Sequence, residues 1–213
     1  MIPKTIQTKL DEGRQYRNVA RFERREAEDG KIVEGYATVF NQPYELWSYD
    51  GYTVIEQIDA HAFDETDMSD VIMQYNHEGR VFARTSNETL TLTADDVGLH
   101  IRADLGGTEL GRQLYEEIEG GYTDKMSFGF RVKEDKREVT EDHETGNVTV
   151  LRTITKIEKL YDVSAVSIPA NDATSISARS FCDGVIAEIK EERLAREKRE
   201  RQKRKIKILT EVL

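Results

Sequence analysis

The feature that most constrains this chain is a succession of short β-rich segments closed by turn residues, running to about residue 171 with one amphipathic helix among them. Val19 to Glu23 leads to Asp29-Gly30, a dipeptide that favours a tight hairpin, and Ile32 to Phe40 follows, rich in β-branched and aromatic residues. Asn41-Gln42-Pro43 ends that run. Residues 44 to 51, with Trp47 and Tyr49, read as an exposed loop. Tyr52 to Ile58 reads as a strand, Ala60 to Phe63 as a short helix, and Val71 to Tyr75 as a compact apolar strand ending in the turn Asn76-His77-Glu78-Gly79. Thr89–Ala94 and Leu99–Leu105 alternate polar and apolar residues with period two, and Asp95-Asp96-Val97-Gly98 between them predicts a hairpin. A helix is predicted over 108–119, with Thr108 as N-cap, Leu110, Leu114, Tyr115 and Ile118 on one face, and Gly120-Gly121 as its stop. Strands are predicted over 125–133, 148–157 and 162–168, the last closed by Pro169. The fold class is therefore α+β and strand-dominated. So many short strands predict a closed or nearly closed β-barrel with flanking helices, because closure removes unpaired edges.

The flanks differ from this body. Residues 1–16 are polar and patternless and read as a flexible arm. A single domain is expected over 17–181, and 182–213 read as a charged helical extension. Residues 185–208 lack turn signals, and their charges recur at helical spacing. Within Arg196–Lys207 there are eight basic and two acidic side chains, which suit docking on acidic helices of a partner and equally suit a merely solvated extension. The net charge of -10 argues against indiscriminate nucleic-acid binding, so no nucleic acid is expected as partner. No stretch approaches the roughly 20 apolar residues of a membrane span, and Met1 to Gln7 lack a signal-peptide run. A cytoplasmic protein without membrane partners is expected. The single cysteine, Cys182, permits no internal disulfide and is read as inert.

Chemistry is sparse. No Cys/His cluster has zinc spacing, and neither a His-Glu-x-x-His motif nor a phosphate loop occurs, so no metal or cofactor is expected. Serine hydrolysis needs a hydroxyl, a base to take its proton and a group to orient that base. Of four histidines, His100 lies within a strand, His143 in an acidic hairpin and His61 ahead of the predicted short helix. His77 leaves a rigid strand at a turn, which suits a base and equally suits an ordinary surface histidine. Ser127 shares a strand face with Gly129, while Met126, Phe128 and Phe130 share the other. Small residues there leave room beside a nucleophile, or mark a crossing where bulk does not fit. Position alone leaves both readings open.

An ordered set of segments resembles the prohead proteases of tailed bacteriophages, a family distantly related to the herpesvirus assemblins. These are Gly35–Asn41, Glu56-Gln57-Ile58, Ala62-Phe63, Asn76-His77, Ala83-Arg84, Thr89–Leu92, Gly98-Leu99, Thr108 with Gly111, Met126–Phe130, Asp162–Val166 and Pro169-Ala170. The resemblance covers about residues 18–180. It implies Ser127 as nucleophile, His77 as general base and Asp162 as orienting group. His61, where relatives often carry glycine, is a rival third member, and backbone amides near Ser164 to Ser167 are candidates for the oxyanion site. The resemblance further implies a serine endopeptidase of head maturation. Such an enzyme acts inside the assembling prohead in the host cytoplasm, on the major capsid protein, a scaffold protein and itself, with self-association possible. The alternative is a catalytically silent assembly protein on the same barrel.

Overall fold

The computed structural model describes residues 4–23, 30–167 and 172–211. The chain divides into two units, Met1–Ala178 and Arg179–Leu213. The first unit opens with helix α1 (Lys4–Asp11) and strand β1 (Gln15–Glu23), where the sequence predicts a patternless arm up to residue 16. Strands β2 (Ile32–Val39), β3 (Tyr44–Tyr49), β4 (Tyr52–Ile58), β5 (Ile72–Tyr75) and β6 (Glu78–Arg84) follow. A 3₁₀ turn at Thr85–Asn87 leads to β7 (Leu90–Ala94) and β8 (Gly98–Asp104). Helix α2 (Glu109–Glu119), the long strands β9 (Lys125–Glu141) and β10 (Val148–Val166), and helix α3 (Asp172–Glu211) complete the chain.

The hydrogen-bonded order is β3-β4-β10-β9-β1-β2-β8-β7, with β5 and β6 branching from β10. The strand-dominated α+β class is as predicted. The predicted barrel closure has no counterpart in this order: among the described residues the path is open, with β3 at one end and β7 at the other. Alternation reveals which face of a strand is buried, but not which two strands meet last, so closure was not readable from pattern.

Strand β10 organises the sheet. One edge pairs antiparallel with β9 along its length; the other pairs in parallel first with β4 and then, from Asp162 to Ala165, with β5. The sequence divides β10 in two because register shifts between Ile154 and Asp162 interrupt its period-two pattern. The expected loop at 44–51 is instead edge strand β3, antiparallel to β4. The expected short helix at 60–63 is a run of turns, closed by the bonds Ala62 N to Asp59 O and Asp64 N to His61 O. The β1–β2 and β7–β8 hairpins form as predicted, although Asp29 at the first tip lies outside the described residues, as does Pro169. Thr108 caps α2 by accepting from Gly111 N. The buried stripe of α2 is Gly111, Leu114 and Ile118, and Leu110 points outward. Gly111 is the inward position because a Cβ there would lie 2.3 Å from Leu105 O.

The apolar core joins Met126, Phe128 and Phe130 of β9 to Val163 and Ala165 of β10, with Met73 of β5, Leu99 and Ile101 of β8, and Phe63. Beside it the sheet buries a charged cluster. Glu56 on β4 accepts from Arg17 Nε (2.5 Å), Arg17 Nη2 (2.9 Å), Arg152 Nη1 (2.7 Å) and Tyr44 Oη (2.5 Å), and all but Tyr44 are withdrawn from water. Burial alone raises a carboxyl's pKa, but the two guanidiniums overcome it and hold Glu56 at about 2, below its ordinary 4.5. Breaking such a pair strands buried charge, so Glu56→Gln is expected to cost about 3–5 kcal/mol at neutral pH. Because the folded-state pKa is depressed, this contribution is complete above about 4.5 and disappears as pH falls through about 2. Denaturant melts at pH 7 and in that acid window should therefore show the gap between variant and wild type closing.

The second unit is the remainder of α3, and residues 196–206 are exposed throughout. No helix among the described residues is long and apolar enough to cross a membrane.

Candidate active site

Three neighbouring strands bring the predicted residues together. Ser127 lies on β9 and is the register partner of Ser164 on β10; Asp162, two residues earlier, is the partner of Gly129. With period two, Ser127, Gly129, Asp162 and Ser164 share one face, opposite the Met126–Phe128–Phe130 core face. On the other edge of β10, β5 pairs through Asp162↔Ile72 and ends at Tyr75. Tyr75 and Glu78 then pair across a two-residue turn, Asn76-His77, with both φ angles positive at 50° and 62°. Positive φ at both central residues is the signature of the hairpin turn that matches strand twist. A side chain there costs roughly 1–2 kcal/mol, which asparagine and histidine tolerate better than most. The fold holds the turn firmly. Asn76 N donates to Ala165 O (2.9 Å), Ser167 N donates to Asn76 Oδ1 (3.3 Å), and Lys9 Nζ donates to His77 O (2.9 Å).

That turn aims the imidazole back over the sheet. His77 Nδ1 donates to Asp162 Oδ1 at 2.5 Å, and Ser127 Oγ donates to His77 Nε2 at 2.6 Å. The tautomer follows from chemistry: an ionised carboxylate only accepts, so Nδ1 carries the proton and Nε2 is left basic. Burial pushes the Asp162 carboxyl up, yet His77, the Ser164 hydroxyl (2.9 Å from Oδ1) and Arg14 together hold it below its ordinary value. Tyr16 of β1 packs its ring on the imidazole, with centroids 4.4 Å apart. Ser127 and His77 are 0% exposed and Asp162 1%. The arrangement has the parts needed to remove a serine proton: an acceptor in hydrogen-bonding range, and an anion to stabilise the resulting imidazolium.

Gly129 has a sharper role than leaving space beside a hydroxyl. A Cβ there would lie 2.5 Å from Asp162 Oδ2 and 2.8 Å from Tyr16 Cε1. Gly129→Ala must therefore displace the carboxylate or the ring that supports His77. We expect about 1–3 kcal/mol of lost stability in a thermal melt, and a reactivity of Ser127 toward a fluorophosphonate lower by on the order of 10²-fold.

The other candidates lie elsewhere. The His61 side chain is 81% exposed and accompanies Asp64 at 3.1 Å, so it does not meet His77. His100 sits within β8 against Tyr36, and Cys182 lies on α3. Ser164 and Ala165 run between two hydrogen-bonding strands, and Ser167 N is engaged by Asn76. Sequence reasoning missed Arg14 and Tyr16, which no periodicity marks. It also missed the Glu56 cluster, although a signal was present. Val54, Glu56 and Ile58 share the inward face of β4, so a glutamate stands between two buried apolar neighbours.

Comparison with known proteins bears on the same residues. A family model described as caudovirus prohead serine protease matches residues 20–185. The prohead protease of Enterobacteria phage HK97 is 29% identical over 160 residues, which are 74% of this chain and 64% of that protein. The chain thus matches somewhat less than two thirds of that relative's length. No solved structure matches. With a match across most of the sheet that carries Ser127, His77 and Asp162, the chain belongs to the caudovirus prohead serine protease family.

Proposed function

We propose that this protein is the head-maturation endopeptidase of a tailed phage, with Ser127 as nucleophile, His77 as general base and Asp162 as the group that orients and stabilises the base. The observation that carries this reading is the unbroken chain from Ser127 Oγ through the imidazole to Asp162 Oδ1, at 2.6 and 2.5 Å. As Ser127 Oγ bonds to the scissile carbonyl carbon, its proton passes to His77 Nε2. Asp162 stays ionised and balances the imidazolium. His77 then gives that proton to the departing amine, and the acyl-enzyme remains on Ser127. A water activated by the same imidazole cleaves the ester and frees the serine.

In this reading the substrates are the capsid protein's scaffold-like segment or a separate scaffold, and the enzyme's own chain, within the assembling prohead. The basic stretch of α3, exposed over 196–206, is the element that meets an acidic partner. A second reading, a silent assembly protein on the same fold, draws on one observation: Ser127 has no exposed surface. Co-expression of the wild type and Ser127→Ala with the phage's capsid genes, followed by intact-mass measurement, separates the two. Products that appear only with the wild type support the protease, and identical intact chains support the assembly protein.

A further inference from the structure

Asp162 has two carboxylate oxygens, and His77 engages one of them. Oδ1 accepts from His77 and from Ser164. Oδ2 is buried and receives no hydrogen bond. One side of it is kept open by the bare Cα of Gly129. Facing it is Arg14, whose Nη1 lies 3.8 Å away. The Arg14 side chain is only 15% exposed, its guanidinium sits 3.7 Å over the Tyr161 ring, and its Nε is buried without an acceptor. A guanidinium withdrawn this far from water is costly unless an anion compensates it, and Asp162 is its ion-pair partner. The backbone fixes this placement. Arg14 N closes the end of α1 on Lys9 O (3.1 Å), Gly13 takes φ +80°, and the chain then enters β1.

We propose that Arg14, upstream of the family-matched residues, is a positioning residue of the triad, its charge holding Asp162 ionised and turned so that Oδ1 stays on His77. The inference rests on the protease reading. Arg14 touches neither the nucleophile nor the scissile bond and acts through Asp162. Among the contacts described, the groups facing the His77–Asp162 pair come from five elements. They are Tyr16 of β1, Lys9 of α1 on the His77 carbonyl, Ser127 of β9, Ser164 of β10, and Glu78 of β6, whose charge reaches Tyr16. Arg14 is the cation among them that pairs with the carboxylate itself. The Asp162 carboxyl is held below its ordinary pKa, and the Arg14 charge contributes to that, consistent with this role.

The test uses the full chain and a small fluorophosphonate, with labelling of Ser127 followed by intact mass against time and pH. Arg14→Gln should slow labelling roughly tenfold or more, because the charge that keeps Oδ1 turned onto His77 is gone. Its acid limb should also move to higher pH, because without the cation the pair takes up a proton more readily. Arg14→Lys, which restores charge but not shape, should stay within about threefold of wild type on the same electrostatic argument. Arg14→Met keeps an apolar stack on Tyr161 and should behave like Gln, which guards against a misfolded variant. Gln and Met variants as fast as wild type, with an unmoved profile, would overturn the proposal. So would a Lys variant as slow as Gln, since packing alone would then explain the loss. A folded wild type that never labels at Ser127 sinks the protease reading itself, and this inference with it.

Discussion

Ser127→Ala is expected to lower the rate of peptide-bond cleavage by on the order of 10⁶-fold relative to wild type. The expected loss is so large because no other described side chain occupies the nucleophile's place. The hydroxyl donates to His77 Nε2, and its register partner Ser164 is committed to Asp162. The fold should barely notice the change. One hydroxyl leaves a fully buried position, at a cost of about 1–2 kcal/mol from the hydrogen bond and the bare Nε2. A thermal melt close to wild type beside absent cleavage is therefore the expected pair of results. Adding His77→Ala should lower the rate no further, because the two groups act as one unit. Cleavage that continues in Ser127→Ala would remove the assignment of the nucleophile.

The second large effect is expected from Asp162→Asn, at about 10⁴-fold in rate. Size and shape are conserved, so the loss isolates two properties of the carboxylate. One is the tautomer it imposes. An amide nitrogen turned toward His77 would donate to Nδ1, move the ring proton to Nε2 and leave Ser127 without an acceptor. The other is charge, since the imidazolium and Arg14 both face this side chain within the buried site. Asp162's folded-state pKa lies below its ordinary value. Its contribution to stability is thus complete above the ordinary carboxylate range and fades only as pH falls through the depressed value. Asparagine titrates nowhere, so denaturant melts of the variant should lack that acid-side component while the cleavage assay shows the rate loss at neutral pH. A variant that cleaves within tenfold of wild type would leave Asp162 a structural residue.

The proposed triad was legible in the sequence only as an ordered resemblance. His77, Ser127 and Asp162 occupy unremarkable local contexts, and the contact that unites them needs β5 to lie parallel to the far end of β10. Parallel pairing across such a separation leaves no periodic trace. Alternation did reveal β7, β8 and the buried half of β9, where one face is apolar and the other is not. It failed on β6, whose residues are half-exposed, and on β10, whose register shifts break the period. It also failed on residues 9–16. Their placement rests on the pairing of Gln15 and Tyr16 with β9 and on three single contacts, Lys9 on a carbonyl, Arg14 on a carboxylate and Tyr16 on an imidazole, and not on a stripe.

A reactive oxygen with no surface imposes kinetics as well as geometry. If the resting chain must open before a peptide can arrive, observed turnover is the intrinsic rate multiplied by the fraction of molecules open. Every 1.4 kcal/mol of opening free energy then slows cutting about tenfold. Such a molecule can accumulate at high local density beside vulnerable neighbours while doing them little harm. Whatever event exposes Ser127 would then set the moment at which cutting begins.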